Sequence, residues 1–399
     1  MTTPAIMTEP EVARGLEGIV SHATQLSEVD GHAGRLTIRG YDSHQLVGQV
    51  SFEEAAYLLW HGDLPNRHQL AALQHDMVAA RHLPGPIMDV LRGAARSADG
   101  MHALRMGAAM LSLDAPEADD LSQEANRRLA LRITARMPAL VAHRYRLQQG
   151  QPLCEPPDHL GFAASYLYML EGREPDPMRV DGLNAYLVAI IDHGMNASTF
   201  TARVIASTDA DMVSAVTGAV GALKGPKHGG VPGPVLEMLT AIGSPEHAES
   251  WIRAALGRGE RIMGFGHRVY KVRDPRAALL SDAAEIMAQQ TGDREGLCPA
   301  PTQSRQLLDF TKEVERVTVK ILDEVKPGRD LYANVELYAA LILHAVGMPA
   351  ALFTPTFAIG RTAGWTAHVL EQFADNRLIR PQSVYIGPRG RTWRPLAQR

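Results

Sequence analysis

Apolar residues recur at three- and four-residue intervals along most of the chain, which is the spacing of one face of an α-helix. The clearest case is the segment 305–325, whose apolar positions share one face: Leu307, Leu308, Val314, Val317, Ile321 and Leu322. Further helices are predicted at 121–149, 178–191, 210–223, 234–242, 246–256, 275–290, 335–346 and 357–373. The pattern therefore predicts a mainly helical protein.

Polar and glycine residues mark the ends of one more helix. Ser51 is followed three residues later by Glu54, the capping-box pattern that begins a helix, and an apolar run at 55–60 comes next. Gly62 and Pro65 are expected to end this helix, because glycine suits the left-handed conformation of a helix C-terminus and proline cannot continue the helix.

Few features interrupt the helical pattern. Pro138 lies inside the segment 121–149, and a kink or break is expected there because proline removes a backbone hydrogen bond. Strand signals occur only at 35–39 and 383–386. The length predicts two domains. Since no repeat or low-complexity linker divides the chain, one domain is expected to be inserted within the other.

The composition is that of an ordinary globular protein, with 45% hydrophobic and 21% charged residues among 399. A chain of this length buries a large core without disulfides or structural metals. The formal net charge of -4 argues against a nucleic acid partner, because the neutralisation of phosphates requires a basic surface.

The sequence also predicts a cytoplasmic protein. Cys154 and Cys298 form no CxxC pair, which fits a reducing compartment. The segment 1–10 has no basic stretch followed by an apolar one, so no signal peptide is expected. The longest apolar segment, 337–353, is interrupted by a histidine and a proline, and is interpreted as a buried helix and not as a membrane span.

Glycine, proline, histidine and basic residues are concentrated in two loops, at 225–234 and 264–275, and loops carry function more often than helices do. The first loop reads Gly-Pro-Lys-His-Gly-Gly from Gly225 to Gly230, and the glycines around His228 allow a ligand to approach the backbone closely. It is not a phosphate-binding P-loop, because the terminal Lys-Ser/Thr pair is missing. A glycine-rich turn with an incidental histidine is the alternative.

The second loop reads Gly-Phe-Gly-His-Arg-Val-Tyr-Lys-Val-Arg-Asp-Pro-Arg at 264–276. It is not a dinucleotide-binding fingerprint, because Val269 stands in the position of the third glycine and no βαβ unit surrounds it. His267 is followed by four basic residues, among them Lys271 and Arg276. This set suits a ligand rich in carboxylates and phosphates. A solvated basic loop is the alternative.

Four further polar residues have apolar neighbours. Glu336 lies at a predicted helix start, where apolar surroundings raise the pKa of a carboxyl group as a general base requires. A glutamate stabilised by the helix dipole is the alternative. Arg361, in an otherwise apolar helix, and Arg380, before a proline, each require an anion, either a ligand or a structural partner. His193 alone is interpreted as a hydrogen-bonded core residue.

Together these segments resemble the citrate synthase family. Gly-Pro-x-His-Gly-Gly, Gly-Phe-Gly-His-Arg-Val-Tyr-x-x-x-Asp-Pro-Arg and Asn-Val-Glu occur in the family's order and at its approximate spacing, and the helix at 357–365 and Arg380 follow in turn. The likeness begins near Gly15 and ends near Pro388, so it covers most of the chain.

The resemblance implies an all-α fold with a large and a small helical domain. The large domain is expected at 1–228 and 341–399 and the small domain at 229–340, with the active site in the cleft between them. The N-terminus resembles that of the compact dimeric branch of the family, so a homodimer is expected.

The resemblance further implies condensation of acetyl-CoA with oxaloacetate. Proton removal from the thioester methyl group requires a base and a hydrogen-bond donor, which the family pattern assigns to Glu336 and His228. His267 would polarise the oxaloacetate carbonyl. The implied binding residues are His193, Arg276, Arg361 and Arg380 for the oxaloacetate carboxylates, the last from the other subunit, with Gly225 and Lys271 for CoA. No metal or redox cofactor is implied.

Two positions depart from the family pattern. Glu336 stands where most members have aspartate, and its extra methylene moves the carboxylate by ~1 Å, a shift that can cost ~100-fold in rate. The usual Ala-Asn is replaced by Val231 and Pro232, and Lys227 replaces a common leucine. These changes bear on the contacts to CoA and not on the fold.

Three alternatives remain open at this stage. Propionyl-CoA as acyl donor would make a 2-methylcitrate synthase, since one methylene in a pocket is worth only ~1–3 kcal/mol. His228, His267 and Glu336 would suit a two-histidine, one-carboxylate metal site, although nearby arginines repel a cation. The third alternative is a related protein that binds CoA or dicarboxylates with weak turnover.

Overall fold

The computed structural model describes residues 12–97, 99–117, 120, 122–229, 232–290 and 301–399. In this described part, fifteen α-helices and one small sheet confirm the all-α fold. The helices are α1 Phe52–His61, α2 Arg67–Ala80, α3 Gly85–Ser97, α4 Gly100–Met110, α5 Gln123–Gln148, α6 Phe162–Glu171, α7 Pro177–Ala189, α8 Ala197–Ala206, α9 Met212–Leu223, α10 Pro232–Ile242, α11 Ala248–Gly257, α12 Pro275–Gln290, α13 Pro301–Val325, α14 Val335–Ala345 and α15 Phe353–Ala374. Strands β1 Ser27–Asp30, β2 Arg35–Ile38 and β3 Tyr41–Asp42 form an antiparallel sheet in chain order.

Two long helices form the centre of the core. α5 packs against α2, α3, α4, α6 and α15, and α15 also packs against α1, α7, α8 and α9. Every residue from 133 to 144 of α5 and from 355 to 370 of α15 is buried. A helix that is covered on all sides belongs to the interior of a large protein.

A second group of helices, α10 to α14, surrounds the two loops that the sequence singled out. α12 lies against α13 and α14, α11 against α13, and α10 against α14, while α12 and α14 also contact α7. These helices occupy most of the expected small domain, 229–340. The division into two domains stays a prediction.

The expected ends of α1 are confirmed. The Ser51 side chain accepts the N–H of Glu54, and the Glu54 side chain accepts the N–H of Ser51, so the capping box is complete. Gly62 follows the helix with a φ of 92°, the left-handed conformation expected of a glycine at a helix C-terminus.

Two expectations about secondary structure are wrong. The break expected at Pro138 does not occur: α5 is continuous there, and the packing of the buried proline on the neighbouring helices outweighs the loss of one hydrogen bond, while a kink stays a prediction. Residues 383–386 form no strand, because no neighbouring strand in the described residues pairs with them, and Tyr385 and Ile386 are exposed. The sequence pattern also does not identify α2, α3, α4, α6 or α8.

Three residues named in the sequence analysis are not described by the structure. Gly230, Val231 and Cys298 lie outside the described residues. None of the described helices is both long and apolar enough to cross a membrane.

The small sheet fixes the position of the second loop. The Lys271 N–H donates to the Gly31 carbonyl at 2.9 Å, and the Gln25 N–H donates to the Glu371 carboxylate on α15 at 2.8 Å. A Cβ atom on Gly31 would lie 2.3 Å from the Val269 carbonyl oxygen. Only glycine allows this close approach, so the turn between β1 and β2 and the second loop are packed directly together.

Candidate active site

The second loop, 264–276, crosses the segment before α14 and is bonded to it. The Gly266 N–H donates to the Tyr332 carbonyl at 2.8 Å, and the Asn334 N–H donates to the Gly264 carbonyl at 2.9 Å. Asn334 Nδ2 also donates to the Gly266 carbonyl at 2.9 Å. Gly264 and Gly266 have φ values of +81° and +82°, which favour glycine. The crossing therefore fixes the loop relative to the first turn of α14.

His267 follows this crossing, and the backbone sets its protonation. Its Nδ1 accepts the N–H groups of Val269 and Tyr270, each at 3.0 Å. A neutral imidazole that accepts at Nδ1 carries its proton on Nε2. Burial, and then the charge of Arg276, lower the pKa of His267 to about 4. The ring is therefore neutral near pH 7, with Nε2–H as a hydrogen-bond donor.

His228 has the opposite arrangement. Its Nε2 accepts the N–H of Ser198 at 3.2 Å and lies 2.8 Å from the Ser198 hydroxyl. The Ser198 hydroxyl oxygen accepts the indole N–H of Trp365 at 3.0 Å. Burial, and then the charge of Arg361, lower the pKa of His228 to about 4. The neutral ring therefore carries its proton on Nδ1.

Glu336 is a buried carboxyl group in the first turn of α14. The helix begins after Asn334, whose Oδ1 accepts the Glu336 N–H at 3.0 Å. Glu336 is only 8% exposed, and its Oε2 has no hydrogen-bond partner in the described part of the chain. Burial raises the pKa of Glu336 to about 7, against the opposing charges of Arg276 and Arg361. Such a group can accept a proton at neutral pH, as a general base must.

Two buried arginines differ in their partners. Arg276 donates through Nε and Nη2 to the Asp274 carboxylate, at 3.0 and 2.7 Å. Arg361 donates through Nε to the Ile190 carbonyl at 2.5 Å, and no carboxylate among the described residues lies within ion-pair distance of it. Burial lowers the pKa of Arg361 to about 10, against the charge of Asp192. Arg361 is thus a buried cation suited to binding an external anion.

His193 lies against the same loop. Its ring centroid is 5.4 Å from that of His267 and 5.6 Å from that of Tyr270, and its Nε2 is 3.2 Å from the Tyr270 hydroxyl. Burial, and then the charge of Arg276, hold the pKa of His193 well below its usual value. His193 is therefore a buried, neutral ring, as the sequence suggested, but it is in contact with the candidate site.

The charges of the two arginines reach the three candidate histidines and the candidate glutamate. After burial, which has the largest effect, Arg276 or Arg361 lowers the pKa of all three histidines and of the glutamate described above. A charge shifts the pKa of another group when it lies nearby. The structure thus brings together six predicted site residues: His193, His228, His267, Arg276, Glu336 and Arg361.

The other three predicted residues are less closely connected to this cluster. Arg380 is exposed in the irregular segment after α15, and no hydrogen bond or ion pair joins it to the six residues in the described structure. The side chain of Lys271 is exposed, although its charge reaches His267. Gly225 accepts the His228 N–H at 2.9 Å in the preceding turn. The individual roles of all nine residues stay predictions.

Sequence reasoning assigned no role to several residues that contact the candidates. Asp274 precedes its partner Arg276 by two positions, and this spacing is a signal that the sequence does contain. Ser198 carries no local signal, because its partner His228 is 30 positions away. Tyr270 belongs to the second loop, but its contact with His193 depends on the fold.

One group of side chains has the residue types of a metal site. The ligand atoms of His22, His368 and Glu371 lie within 4.8 Å of one another. However, the Arg203 guanidinium donates to both His368 and Glu371. Because a guanidinium at this point repels a cation, the group does not fit a metal. The two catalytic candidate histidines and the glutamate do not form such a group in the described residues.

Two cavities of about 500 and 410 Å³ lie elsewhere in the described structure. The first is lined by residues such as Glu53 and Arg81, and the second by residues such as Tyr145 and Arg173. Neither contains a predicted site residue, so the candidate site is identified by its chemistry and not by its volume.

The arrangement suits the removal of a proton next to a carbonyl group. Glu336 can act as a base, and the two neutral imidazoles offer N–H donors to oxygen atoms on which negative charge would develop. Arg361 and Arg276 suit the carboxylates of a substrate. The reaction class that fits is a carbon–carbon condensation between a carbon acid and a carboxylate-bearing carbonyl compound.

The chain is similar to known proteins over nearly its whole length. The family model "Citrate synthase, C-terminal domain" matches residues 15–382. Citrate synthase 2 of Bacillus subtilis is 40% identical over 387 residues, which cover 97% of this chain and 99% of that protein. A 2-methylcitrate synthase of Mycobacterium tuberculosis is 36% identical over 387 residues, covering 97% of this chain and 93% of that protein.

Solved structures agree with these similarities. The citrate synthase of Pyrobaculum aerophilum matches with a TM-score of 0.85 and 35% identity, covering 97% of this chain and 95% of that one. The citrate synthase of Thermoplasma acidophilum, solved as a ternary complex with carboxymethyl coenzyme A and oxaloacetate, matches with a TM-score of 0.87 and 29% identity, covering 98% and 100%.

Proposed function

Since the chain belongs to the citrate synthase family, we propose that it condenses acetyl-CoA with oxaloacetate and hydrolyses the citryl-CoA to citrate and CoA. The main support for the mechanism is the pair of neutral histidines with protons on opposite nitrogens, near the buried carboxyl group of Glu336. The solved relative with both a CoA analogue and oxaloacetate supports the choice of substrates.

The first step removes a proton from the methyl group of acetyl-CoA. Glu336 accepts the proton, and the Nδ1–H of His228 donates a hydrogen bond to the thioester oxygen, on which negative charge develops. The pKa of about 7 makes Glu336 a stronger base than an ordinary carboxylate. The backbone N–H of Ser198 holds the His228 proton on the nitrogen where it is needed.

The second step forms the carbon–carbon bond. The enolate carbon attacks the keto carbon of oxaloacetate, whose oxygen accepts a hydrogen bond from the Nε2–H of His267 and then its proton. Water next attacks the thioester of citryl-CoA and gives one proton to Nε2 of His267, which restores the neutral ring. The C–S bond breaks, the CoA thiolate leaves and takes the proton held by Glu336, and the new carboxylic acid loses its proton to solvent. Gly225 and Lys271 lie along the proposed path of CoA.

The two carboxylates of oxaloacetate are bound by cations and neutral donors. Arg361 has no carboxylate partner within the described chain and so binds one of them, with Arg276 and His193 beside it. Arg380 reaches the site from a second copy of the chain. Binding of oxaloacetate closes the cleft and excludes water, which strengthens these charge interactions.

The test mixes the purified protein with oxaloacetate and either acetyl-CoA or propionyl-CoA, and follows the release of free thiol. Faster release with acetyl-CoA supports the proposal, and no release with either thioester overturns it. His228→Gln and His267→Gln should each lower the rate by about 10²- to 10⁴-fold. The matched control is His247→Gln, at an exposed histidine of a short 3-10 helix, which should leave the rate unchanged.

A second candidate is 2-methylcitrate synthase, with propionyl-CoA as the acyl donor. The 36% identity to a 2-methylcitrate synthase over 97% of the chain favours it. The two donors differ by one methylene, worth only about 1–3 kcal/mol in a pocket. A clear preference for propionyl-CoA in the same assay would establish this alternative.

We also propose that the chain acts as a cytoplasmic homodimer without a metal or redox cofactor, a nucleic acid partner or a membrane partner. The exposed side chain of Arg380 fits a contribution to the site of a second copy. Light scattering should give the mass of a dimer, Arg380→Leu should weaken oxaloacetate binding, and EDTA should leave the rate unchanged. A fully active monomer would contradict the dimer.

A further inference from the structure

A chain of buried and half-buried polar side chains adjoins the proposed oxaloacetate site and has no part in the chemistry described so far. It connects Glu371, Arg203, His368, Asp192 and Ser27. His368 and Asp192 are both fully buried, at 0% exposure. Buried polar groups of this kind are costly unless every one is hydrogen-bonded, and here the bonds lead to the candidate site.

The hydrogen bonds from Arg203 determine which ring nitrogen of His368 accepts and which donates. Arg203 Nε donates to His368 Nδ1 at 3.0 Å, so a neutral ring carries its proton on Nε2. That nitrogen lies 3.1 Å from Asp192 Oδ1 and donates to it. Burial alone would raise the pKa of Asp192, but His368 and the Ser27 hydroxyl lower it to about 2. Asp192 is therefore an ionised carboxylate held from two sides.

Asp192 in turn secures the backbone of the turn at 190–194. Its Oδ2 accepts the Ser27 hydroxyl, and the Ser27 oxygen accepts the Gly194 N–H at 3.0 Å. A Cβ atom on Gly364 would lie 2.3 Å from the Ile191 carbonyl oxygen, so α15 lies directly against this turn. His368 is on the same helix, and its hydrogen bond joins helix and turn.

The turn carries two of the proposed oxaloacetate contacts. His193 follows Asp192 directly, and the Ile190 carbonyl accepts the Nε–H of Arg361 at 2.5 Å. Arg361 and His368 are two turns apart on α15, so both ends of this connection belong to one rigid helix. A change in the position of the turn would therefore move His193 and the hydrogen bond that orients Arg361.

We propose that His368 is a positioning residue for oxaloacetate binding: by donating to Asp192, it holds the 190–194 turn that presents His193 and orients Arg361. The inference rests on the proposed use of oxaloacetate. Replacement of His368 removes its hydrogen bond to Asp192 and so changes the geometry of the 190–194 turn. The expected effect is therefore on binding.

The experiment measures oxaloacetate binding by calorimetry on the full-length protein. His368→Leu, which removes both the donor and the acceptor, should raise the Kd for oxaloacetate about 10-fold, the low end of what loss of a group supporting a ligand residue costs. His368→Gln keeps an amide N–H donor and should recover most of this loss. The matched control is Thr362→Val on the same helix, whose hydroxyl donates within the helix to the Ala358 carbonyl; its Kd should be unchanged.

A merely structural role for His368 predicts a different result. It would lower the melting temperature and the fraction of binding-competent protein, but it would leave the Kd of the folded fraction unchanged. Equal Kd values for wild type and His368→Leu would overturn the inference. If His368→Leu does not fold, Ser27→Ala removes the other bond to Asp192 and should raise the Kd in the same direction; an unchanged Kd would again overturn it.

The outcome is separate from that of the proposed function. Calorimetry requires no turnover, so wild-type protein that binds oxaloacetate but releases no thiol would refute the condensation and leave the His368 comparison intact. Turnover with unchanged Kd in both variants would refute the inference alone. Wild-type protein that does not bind oxaloacetate would refute both.

Discussion

The replacement Glu336→Gln tests the electrostatics of the site as well as its chemistry. In the native protein, burial raises the pKa of Glu336 from 4.5 to about 7. Each pKa unit corresponds to ~1.4 kcal/mol, so the buried carboxylate costs the native state about 3 kcal/mol at pH values well above 7. Glutamine has nearly the same shape and no charge, and therefore removes this cost.

The size of the effect depends on pH. The native state binds the Glu336 proton more tightly than the unfolded chain does, so the stability that this proton provides is complete below pH 4.5 and is lost as the pH rises through 7. At pH 5 the free energies of unfolding of the two proteins should differ by less than about 1 kcal/mol. At pH 8.5, Glu336→Gln should be more stable by up to about 3 kcal/mol, or roughly 3–4 °C in melting temperature for a chain of this length.

The assay compares melting temperatures of wild type and Glu336→Gln between pH 5 and 9, with Glu237→Gln, at an exposed glutamate of α10, as the matched control. The same samples are tested for thiol release and for oxaloacetate binding. Turnover should fall by about 10²- to 10⁴-fold, the usual contribution of a general base, while oxaloacetate still binds.

Two results would refute this reasoning, the first for the pKa of Glu336 and the second for its role as the base. A difference in melting temperature that is the same at pH 5 and pH 8.5 would mean that Glu336 does not titrate near 7 in the native protein. A variant with retained turnover would mean that another group removes the proton.

Three further outcomes are expected. kcat/KM should rise about tenfold per pH unit up to pH ~7 and then level off, because Glu336 must lose its proton before it can act as a base. The pKa values of His228 and His267, at about 4, lie below this range and do not affect the profile. A flat profile between pH 5 and 7 would contradict the assignment of Glu336 as the base. Arg361→Leu should raise the KM for oxaloacetate by at least about 30-fold, because the buried cation that pairs with a carboxylate of oxaloacetate is lost. An unchanged KM would count against this contact. Ser198→Ala should lower kcat by less than about 10-fold, because the backbone N–H that fixes the His228 proton is retained; a loss as large as that of His228→Gln would mean that the hydroxyl, and not the backbone, sets the ring.

Local sequence signals predicted those parts of the fold that depend on neighbouring residues. The capping box at Ser51 and the left-handed glycine at Gly62 were read correctly because both contacts lie within one turn of the helix. α12 begins at Pro275, where the pattern predicted. The break at Pro138 was wrong because tertiary packing, which the local pattern does not contain, keeps α5 continuous.

The residues of the candidate site also divide into those with a local sequence signal and those without one. The residues that the structure brings together were found because glycine-rich loops and isolated charges in apolar segments stand out in any sequence. Ser198, Asp192 and His368 do not stand out, since their partners are distant in sequence: His368 and Asp192 are 176 positions apart. Such residues acquire a role only through the packing of α15 against the turn before α8.

The contact between the small sheet and the rest of the molecule affects how the protein is made. The hydrogen bond between Gln25 and Glu371 joins positions 346 residues apart. At a synthesis rate of ~5–20 residues per second, the N-terminal segment must wait roughly 20–70 s before its partner emerges from the ribosome. The loop 264–276 is synthesised before Glu371, so β1 and β2 lack this packing partner only for the earlier part of the interval. The candidate site, which includes Arg361 on α15, is complete only near the end of translation.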